Sequence, residues 1–267
     1  MTANPYDTAS SSAALYSDVR PAYPQGVLDV LMGELRRELC TDEPAAAHIA
    51  SHDTNSSAYA VLDVGAGTGK FTAQLLERGL DTWALEPASG MRAEFQRALP
   101  NFDAGHLLAG SAENIPVESE TFSAVTFAQS WHWLDTHAAA AEAARVLIPH
   151  GVCAVVVNQL AVEIPWVHRL TRIMRSGDIY KPGDFPQLGE HFMPPRLWTT
   201  DWEDELTIGQ ICELGQTRAS WIRASEGQRE KMRTNLLWYL CEHLGYASNE
   251  RVRLPYHTYM WYSRKQQ

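Results

Sequence analysis

The chain has 267 residues, of which 45% are hydrophobic, and a formal net charge of −10, with a sequence pI near 5.4. This length suffices for one large domain or for a domain with additional elements. The acidic balance argues against a dedicated nucleic-acid-binding protein, which needs a basic face to neutralise phosphates, but it leaves room for a local positive pocket that binds an anionic metabolite.

The cysteines and the N-terminal segment limit the class of protein further. The four cysteines are widely separated, with no pair at zinc-binding spacing, so we expect buried, reduced thiols and no metal site. The N-terminus lacks the basic and apolar regions of a signal peptide, and apolar runs such as residues 152–157 are too short to span a bilayer. We therefore expect a soluble, cytoplasmic protein without a membrane partner.

The first 59 residues contain one predicted helix. Pro24 suits a first helical turn, and Leu28, Leu31, Leu35 and Leu39 follow it on one stripe. Residues 41–59 are rich in Ala, Ser, His and Asp without a period, which is typical of a surface loop. We interpret residues 1–59 as an N-terminal segment with the first helix of a single domain that covers residues 1–267.

Residues 60–157 alternate between short apolar runs and amphipathic helices. The predicted strands are 60–64, 82–85, 105–109, 124–128 and 152–157, and the predicted helices are 70–78, 90–98 and 138–147. This alternation predicts an α/β fold, a Rossmann-like doubly wound parallel sheet with helices on both faces. Ligands of such sheets bind at the carboxyl ends of the strands, so we expect the ligand-binding core of the protein here.

Residues 158–267 have a different composition, rich in prolines and aromatic side chains. Two capping boxes predict helix starts, one at Thr207 with Gln210 and one at Ser225 with Gln228, and residues 252–263 alternate like a late strand pair. Residues 159–205 carry six aromatic side chains that would either cover a bound substrate or pack in the core: Trp166, Tyr180, Phe185, Phe192, Trp198 and Trp202. We interpret 158–267 as cap elements and C-terminal strands of the same domain.

A glycine-rich loop follows the first predicted strand. Residues 61–70 read V-L-D-V-G-A-G-T-G-K, with glycine at every second position of the loop. Glycines are needed where a backbone turns tightly and lets a ligand approach. The G-x-G-x-G spacing differs from the G-x-G-x-x-G of dinucleotide folds, and a phosphate-binding P-loop is excluded because Phe71 follows Gly69-Lys70. The spacing therefore disfavours a nicotinamide oxidoreductase.

Two carboxylates accompany this loop. Asp63 lies inside the apolar strand just before the glycines, where a charge is costly unless it meets donors or a cation. At the edge of the sheet it would accept from the N–H groups of the loop and face a ligand ammonium group. Glu86 ends the second strand, where a carboxylate accepts from both ribose hydroxyls. An ammonium group and a ribose without a phosphate describe S-adenosylmethionine better than a nucleotide.

These segments resemble those of class I S-adenosylmethionine-dependent methyltransferases. VLDVGAGTGKFT, from Val61, resembles their motif I, and WALEPASGM, from Trp83, resembles the segment after their second strand. The resemblance implies a seven-stranded mixed sheet with six parallel strands, and S-adenosylmethionine as the cofactor. It implies the following donor contacts: backbone groups of Gly65, Ala66 and Gly67, the Glu86 carboxylate on the ribose, and Met91 near the adenine.

A later segment, from Gly110 to Pro116, resembles the loop that borders the adenine in this family. Many relatives have Asp where this chain has Ser111, so the backbone of Ala112 and Glu113 is left to bind the edge of the ring. We assign Gln129, which follows the fourth predicted strand, to the donor site as well.

Two further segments concern the acceptor, which we expect to be a small molecule. Residues 16–24 resemble an N-terminal signature of small-molecule methyltransferases related to trans-aconitate methyltransferase, and Tyr16 and Arg20 would close over donor and acceptor. Alternatively, the prolines of this segment merely shape the entry to the first helix.

Residues 128–135 resemble the His-Trp pair of carboxyl methyltransferases, in which imidazole and indole N–H groups hold the carboxylate. His132 and Trp133 would orient a carboxylic acid, which is ionised at pH 7 and needs no general base. Three alternatives remain: the tryptophans are core packing, His132 is a general base for a hydroxyl, amine or carbon acceptor, or the protein binds the donor without catalysis. The sequence does not indicate an oligomeric state.

Overall fold

The computed structural model of the chain describes residues 18–39, 59–176, 180–181 and 183–266. Tyr16 and all but the last residue of the predicted 41–59 loop lie outside these ranges. Within them, no helix is both long and apolar enough to cross a membrane.

Helices and strands alternate through the first two thirds of the described chain. The strands are β1 (Ala60–Val64), β2 (Asp81–Leu85), β3 (Leu107–Leu108), β4 (Phe122–Ala128), β5 (Leu147–Leu160), β6 (Arg196–Thr207) and β7 (Arg251–Arg264). The α-helices are α1 (Gln25–Leu39), α2 (Lys70–Glu77), α3 (Ser89–Ala98), α4 (Thr136–Val146), α5 (Pro165–Met174), α6 (Ile208–Gln216), α7 (Ala219–Ile222) and α8 (Glu226–Leu237). Short 3₁₀ turns cover Ala104–His106 and Trp131–Trp133, and a π-helical turn, Trp238–His243, extends α8.

The strands form one seven-stranded sheet in the order β3-β2-β1-β4-β5-β7-β6. Neighbouring strands from β3 to β5 are parallel. β7 is antiparallel to both β5 and β6, so six strands share one direction and β7 alone opposes them. This is the mixed sheet that the family resemblance implies. The topology places the ends of β1, β2 and β4, and the loops after them, at one edge.

Alternating side chains of the central strands build two separate cores. In β1, Val61 faces the layer formed with α1 and α2, whereas Leu62 faces the layer formed with α4. In β5, Val156 belongs to the first layer and Val155 to the second. Strands buried on both faces have continuous apolar sequences, as these do. The result is a rigid sheet that holds the loops at its edge.

A third core fills the C-terminal part of the molecule. It is formed by one end of β5, β6 and β7 together with α5, α6 and α8, and includes Leu160, Val167, Ile211 and Leu236. Both predicted capping boxes are present, at Thr207 and at Ser225, and they start α6 and α8. This core fixes α5 and α7 beside the edge of the sheet at which the glycine loop lies.

Two predicted strands differ from the observed ones. In place of a strand over 105–109, a 3₁₀ turn leads into the two-residue β3, because the Asp103 carboxylate accepts a hydrogen bond from the Gly105 N–H at 2.8 Å and turns the chain. The expected strand pair over 252–263 is instead the single strand β7. Its second partner is β6, an edge strand that the sequence analysis did not predict. One face of β6 is exposed and largely charged, so its sequence has no clear alternation of apolar residues.

Three of the six aromatic side chains of residues 159–205, Phe192, Trp198 and Trp202, pack within the fold. Trp198 packs against Gly26 of α1, where an added Cβ would lie 2.4 Å from the indole. Trp202 stacks on Tyr256 with ring centroids 5.0 Å apart, and Phe192 is buried in the core. These side chains are held by strand pairing and packing, so the alternative of core packing describes them better.

Candidate active site

Three adjoining cavities lie at the carboxyl edge of the sheet. One of about 220 Å³ lies between the ends of β1, β2 and β4, one of about 70 Å³ lies beside the glycine loop, and one of about 390 Å³ lies between β5, α5 and α7. We name them the donor cavity, the connecting cavity and the acceptor cavity. Gln129 lines all three. They therefore meet at the residue that directly follows β4.

The glycine loop forms the floor of the first two cavities. Gly65, Gly67 and Gly69 have φ angles of 71°, 59° and 84°, a region that side chains disfavour. A Cβ on Gly65 would lie 2.5 Å from the Cβ of Ser130, whereas a Cβ on Gly67 would meet no atom within 4 Å. Close packing thus requires glycine at position 65. Gly67 instead presents open backbone to both cavities.

Asp63 is almost completely buried, with 1% of its surface exposed, and it lines the connecting cavity. Its carboxylate accepts hydrogen bonds from the hydroxyls of Thr72 at 2.7 Å and Thr126 at 3.3 Å. Burial raises the pKa of Asp63 to about 7, against the lowering effect of these hydrogen bonds. A cation beside this carboxylate would favour its charged form.

The expected bonds from the loop to Asp63 are not those observed. The N–H groups of Gly65 and Ala66 donate instead to the Leu85 carbonyl at 2.8 and 3.1 Å. They do so because β1 and β2 are parallel and in register, which brings the end of β2 beside the start of the loop. The hydroxyls of Thr72 and Thr126 replace them as the donors to the carboxylate.

Glu86 connects the glycine loop to the segment after β2. Its carboxylate accepts from the N–H groups of Gly67 at 3.0 Å and Ala88 at 2.9 Å, and it lines the donor cavity. Bonds to two backbone donors hold the carboxylate in one orientation at the cavity wall. A ligand with hydroxyl groups would find an oriented acceptor there.

The wall of the donor cavity opposite the glycine loop is formed by residues 110–113. Met91, Ala112 and Glu113, which the sequence assigns to the adenine, all line this cavity, as does Ser111. The polar side chains that line the cavity are those of Glu86, Ser111, Glu113, Gln129 and Ser130, and the other lining residues are glycine or mainly apolar. A lining of this kind suits a heterocycle with an attached ribose.

An ion pair on α4 anchors this wall. Arg145 binds the carboxylate of Glu142 and donates to the carbonyls of Ile115 and Val117 at 2.9 Å each. Glu142 accepts from the Ile115 N–H at 2.9 Å. Because of the guanidinium of Arg145, the pKa of Glu142 lies below its usual range. The helix thereby holds both backbone groups of one residue in the loop that borders the donor cavity.

The connecting cavity brings the N-terminal segment to the glycine loop. Arg20 lines it, and its side chain donates to the Thr217 hydroxyl at 2.9 Å and the Thr217 carbonyl at 3.1 Å. Lys70, the first residue of α2, donates from Nζ to the Arg20 carbonyl at 2.5 Å. The predicted residue Arg20 is therefore at the site, held from two sides. Tyr16 lies outside the described residues.

Tyr256 of β7 is a residue of the connecting cavity that the sequence did not indicate. Its ring is buried, and its hydroxyl has no hydrogen-bond partner among the described residues. Burial raises the pKa of Tyr256 to about 12, and the nearby Arg218 and Arg20 act against this rise. A neutral phenol in such a place offers a hydrogen bond to a ligand in the cavity.

His132 and Trp133 lie where the donor and acceptor cavities adjoin. Both belong to the 3₁₀ turn after β4, and Trp133 lines the donor and the acceptor cavity. Trp131 is buried, with its ring 4.8 Å from that of Phe127, but Trp133 is 43% exposed. Core packing therefore explains Trp131 and does not explain Trp133.

The acceptor cavity has a strongly basic wall. No Asp or Glu occurs among the described residues that line it. Besides His132, its cationic or titratable lining residues are Arg20, His168, Arg172, Arg175, Arg218 and Arg223. Of the six aromatic side chains expected as a cover, Tyr180 lines this cavity and the other five do not.

Most predicted site residues thus lie around the same three cavities, although they come from separate parts of the chain. The sequence missed Asn158, Arg218 and Tyr256, each of which lines the connecting cavity. Asn158 could have been found from the sequence, because it is a polar residue within an apolar strand. In the structure its backbone carbonyl accepts a hydrogen bond from the Gln129 side-chain amide at 2.5 Å. Arg218 and Tyr256 have no comparable signal, because nothing near them in sequence points to a ligand.

Comparisons with known proteins agree on the family. Residues 62–155 match a family model described as a methyltransferase domain. The chain is 34% identical over 249 residues to an uncharacterized methyltransferase of Mycobacterium tuberculosis, an alignment that covers 93% of this chain and 91% of that protein.

Solved structures share the fold at low sequence identity. A protein of Anaeromyxobacter dehalogenans described as a type II methyltransferase superposes with a TM-score of 0.59 at 16% identity, covering 92% of this chain and 97% of that one. Phosphoethanolamine N-methyltransferase 2 of Haemonchus contortus, solved with phosphomonomethylethanolamine and S-adenosylhomocysteine, superposes with a TM-score of 0.50 at 13% identity, covering 98% of this chain and 58% of that one.

Proposed function

The chain belongs to the S-adenosylmethionine-dependent methyltransferases, and we propose that it methylates an oxygen of a small carboxylic acid. The donor supplies an electrophilic methyl group, whose bond to sulfur breaks as its bond to the acceptor oxygen forms. The observation that carries the proposal is the acceptor cavity, which adjoins the donor cavity at Gln129 and Trp133 and has a basic wall without acidic side chains among its described residues.

The residues around the donor and connecting cavities fit S-adenosylmethionine. Gly67 leaves space where a Cβ would otherwise stand, and Glu86 offers a fixed acceptor for ribose hydroxyls. The buried carboxyl of Asp63 suits the ammonium group of the donor, and the Tyr256 hydroxyl and the Arg20 guanidinium suit its carboxylate. The donor cavity would take the adenosine and the connecting cavity the methionine portion.

The chemistry of the acceptor explains why few groups are needed. A carboxylate is ionised at pH 7, so no base has to remove a proton before it attacks. Alignment supplies most of the rate in such a displacement, up to about 10 kcal/mol in favourable models. The N–H groups of His132 and Trp133 would orient the reacting carboxylate at the junction of the cavities, and the surrounding cations would favour its binding.

The test replaces the two proposed orienting groups one at a time. Trp133→Phe keeps an aromatic ring and removes one N–H donor, which should lower kcat/KM about tenfold to a hundredfold. His132→Gln should be partly tolerated, because an amide N–H replaces the imidazole N–H. The measurement is formation of methyl ester and S-adenosylhomocysteine by mass spectrometry over a panel of carboxylic acids, with donor affinity as the control that should not change.

A general base at His132 would give the opposite pattern. The glutamine variant would then be nearly inactive, and the wild-type rate would rise with pH through the range in which an imidazole titrates, near 6.5 when unperturbed. A hydroxyl, amine or carbon acceptor would follow from that result. A flat rate between pH 6 and 8 together with an active glutamine variant supports the orientation of a carboxylate.

A further inference from the structure

We propose that the acceptor carries a second anionic group besides the one that reacts, and that Arg172, Arg175 and Arg223 bind this group. The inference rests on the proposed function, since it concerns the same acceptor cavity. It names the class of acceptor more closely, as a small molecule with at least two acidic groups, the second being a carboxylate or a phosphate-like group.

The acceptor cavity has walls from two different parts of the fold. One wall is the segment after β4, with Gln129, His132 and Trp133, where the methyl group would be transferred. Another is formed by the end of α5 and the residues after it and by the end of α7, which contribute Arg172, Arg175 and Arg223. A volume of about 390 Å³ lies within the range of about 300–1,000 Å³ that holds small metabolites.

The number of cations exceeds what one carboxylate requires. Arg172 and Arg175 are exposed residues that line the cavity, and their guanidinium groups make no hydrogen bond or ion pair within the described part of the chain, although the protein as a whole has a net charge of −10. Arginines stay protonated at any physiological pH, and their planar donors suit carboxylate and phosphate groups. Several like charges around one cavity repel one another, and a bound anion would relieve this repulsion.

The backbone at Arg175 gives a second, independent observation. Arg175 caps the end of α5 with φ 48° and ψ 42°, the left-handed conformation in which glycine is the usual residue. A side chain there costs conformational energy, and residues held in such conformations are concentrated at functional sites. Glycine would adopt this conformation at lower cost, and the proposed subsite accounts for an arginine at this position.

The experiment uses this conformation to separate binding from folding. Arg175→Gly should leave the Tm unchanged or raise it, because glycine adopts the left-handed conformation without strain. Arg172→Gln removes the neighbouring cation. Arg169→Ala, on the exposed face of α5 and outside the cavity lining, is the control for a change in net charge.

The probes are butyrate, succinate and 3-phosphonopropionate, which share a short chain and differ in the group at one end. Their affinities are measured by titration calorimetry on the full chain saturated with S-adenosylhomocysteine. Succinate or 3-phosphonopropionate should bind about tenfold or more tightly than butyrate, as expected of a charge-assisted bidentate contact. The tighter of the two identifies the second group as carboxylate or phosphate-like.

The preference should disappear in Arg175→Gly and fall in Arg172→Gln, and persist in Arg169→Ala. If neither dianion binds more tightly than butyrate, or if the preference survives in both cavity variants, the proposal is overturned. Formation of methyl esters is scored separately. Dianion preference without any ester over the whole panel of carboxylic acids supports the second anionic subsite and rejects carboxyl methylation, whereas ester formation without dianion preference does the reverse.

Discussion

At the scale of single residues, Asp63 combines near-complete burial with a carboxyl group that we propose pairs with the ammonium group of the donor. Its pKa is raised to about 7 because burial disfavours the charge, in spite of the hydrogen bonds from Thr72 and Thr126. The unfolded chain would have a value near 3.9. The native state therefore binds the proton more tightly than the unfolded state between about pH 4 and pH 7, and it loses stability as pH rises through this window.

Replacing this carboxyl by an amide should weaken binding of the donor and raise the stability of the ligand-free protein at high pH. Asp63→Asn should bind S-adenosylmethionine at least about tenfold more weakly at pH 8, because a charged partner of the ammonium group is lost. The Tm difference between variant and wild type, in the absence of ligand, should move in favour of the variant from pH 5 to pH 8. Thermal scans and calorimetry measure the two effects.

Glu94→Gln is the matched control, since Glu94 is also a buried carboxylate but does not line the donor or connecting cavity. It should leave donor affinity unchanged. Equal donor affinity in Asp63→Asn and wild type at pH 8 would show that the carboxylate does not face the ligand.

At the scale of elements, the site depends on helices that hold loops without touching the ligand cavities themselves. α4 is the main example, because Arg145 and Glu142 bind the backbone of the loop over residues 110–117. Backbone carbonyls in a loop lack hydrogen-bond partners from secondary structure, so side chains or water donate to them instead. The loop is thus positioned from α4, whose residues come later in the sequence.

Arg145→Met should loosen this wall of the donor cavity. It removes the bonds to the carbonyls of Ile115 and Val117, so amide hydrogen exchange over 110–117 should increase and donor affinity should fall several-fold, on the order of 1 kcal/mol. Arg97→Met, which breaks an ion pair confined to α3, is the control and should have little effect on either. Unchanged exchange in the Arg145 variant would mean that the loop is held by other contacts.

At the scale of the whole molecule, the sheet joins the donor half to the C-terminal half through β5 and β7. His257 of β7 reinforces this junction, with Nδ1 2.6 Å from a carboxylate oxygen of Asp201 on β6 and Nε2 2.8 Å from one of Glu163 after β5. Burial by itself would lower the pKa of His257, but the hydrogen bonds to both carboxylates outweigh it and raise the pKa. In its protonated form the imidazole donates to both carboxylates and ties three segments together.

The stabilising effect of His257 should depend on pH in a defined direction. Because its folded pKa is raised, the contribution is complete below the unfolded value near 6.5 and is lost as pH rises through the folded value. The loss in unfolding free energy caused by His257→Gln, measured with urea, should be larger at pH 5.5 than at pH 9. A loss that is equal at both values, or larger at pH 9, would contradict a charged imidazole at this junction.

Local sequence determined the donor half of this protein. The glycine spacing, Asp63 within an apolar strand and Glu86 after the next one are signals that occupy fewer than thirty consecutive residues, from Val61 to Glu86. The strands and helices around them follow from periods of apolar residues, which local chain geometry fixes. The edge strand β6 was not predicted because its outer face is charged and exposed. Such a strand lacks the continuous run of buried apolar residues that its neighbours have.

The acceptor side was decided by tertiary structure. Tyr256, Arg218 and Arg20 meet at the glycine loop only because β7 inserts between β5 and β6 and carries the C-terminal helices to the same edge of the sheet. Likewise, nothing in the sequence distinguishes Arg172, Arg175 and Arg223 from ordinary surface charges. The packing of α5 and α7 brings them together around one cavity. Contacts between distant segments depend on strand order and helix packing, and no local period records either of them.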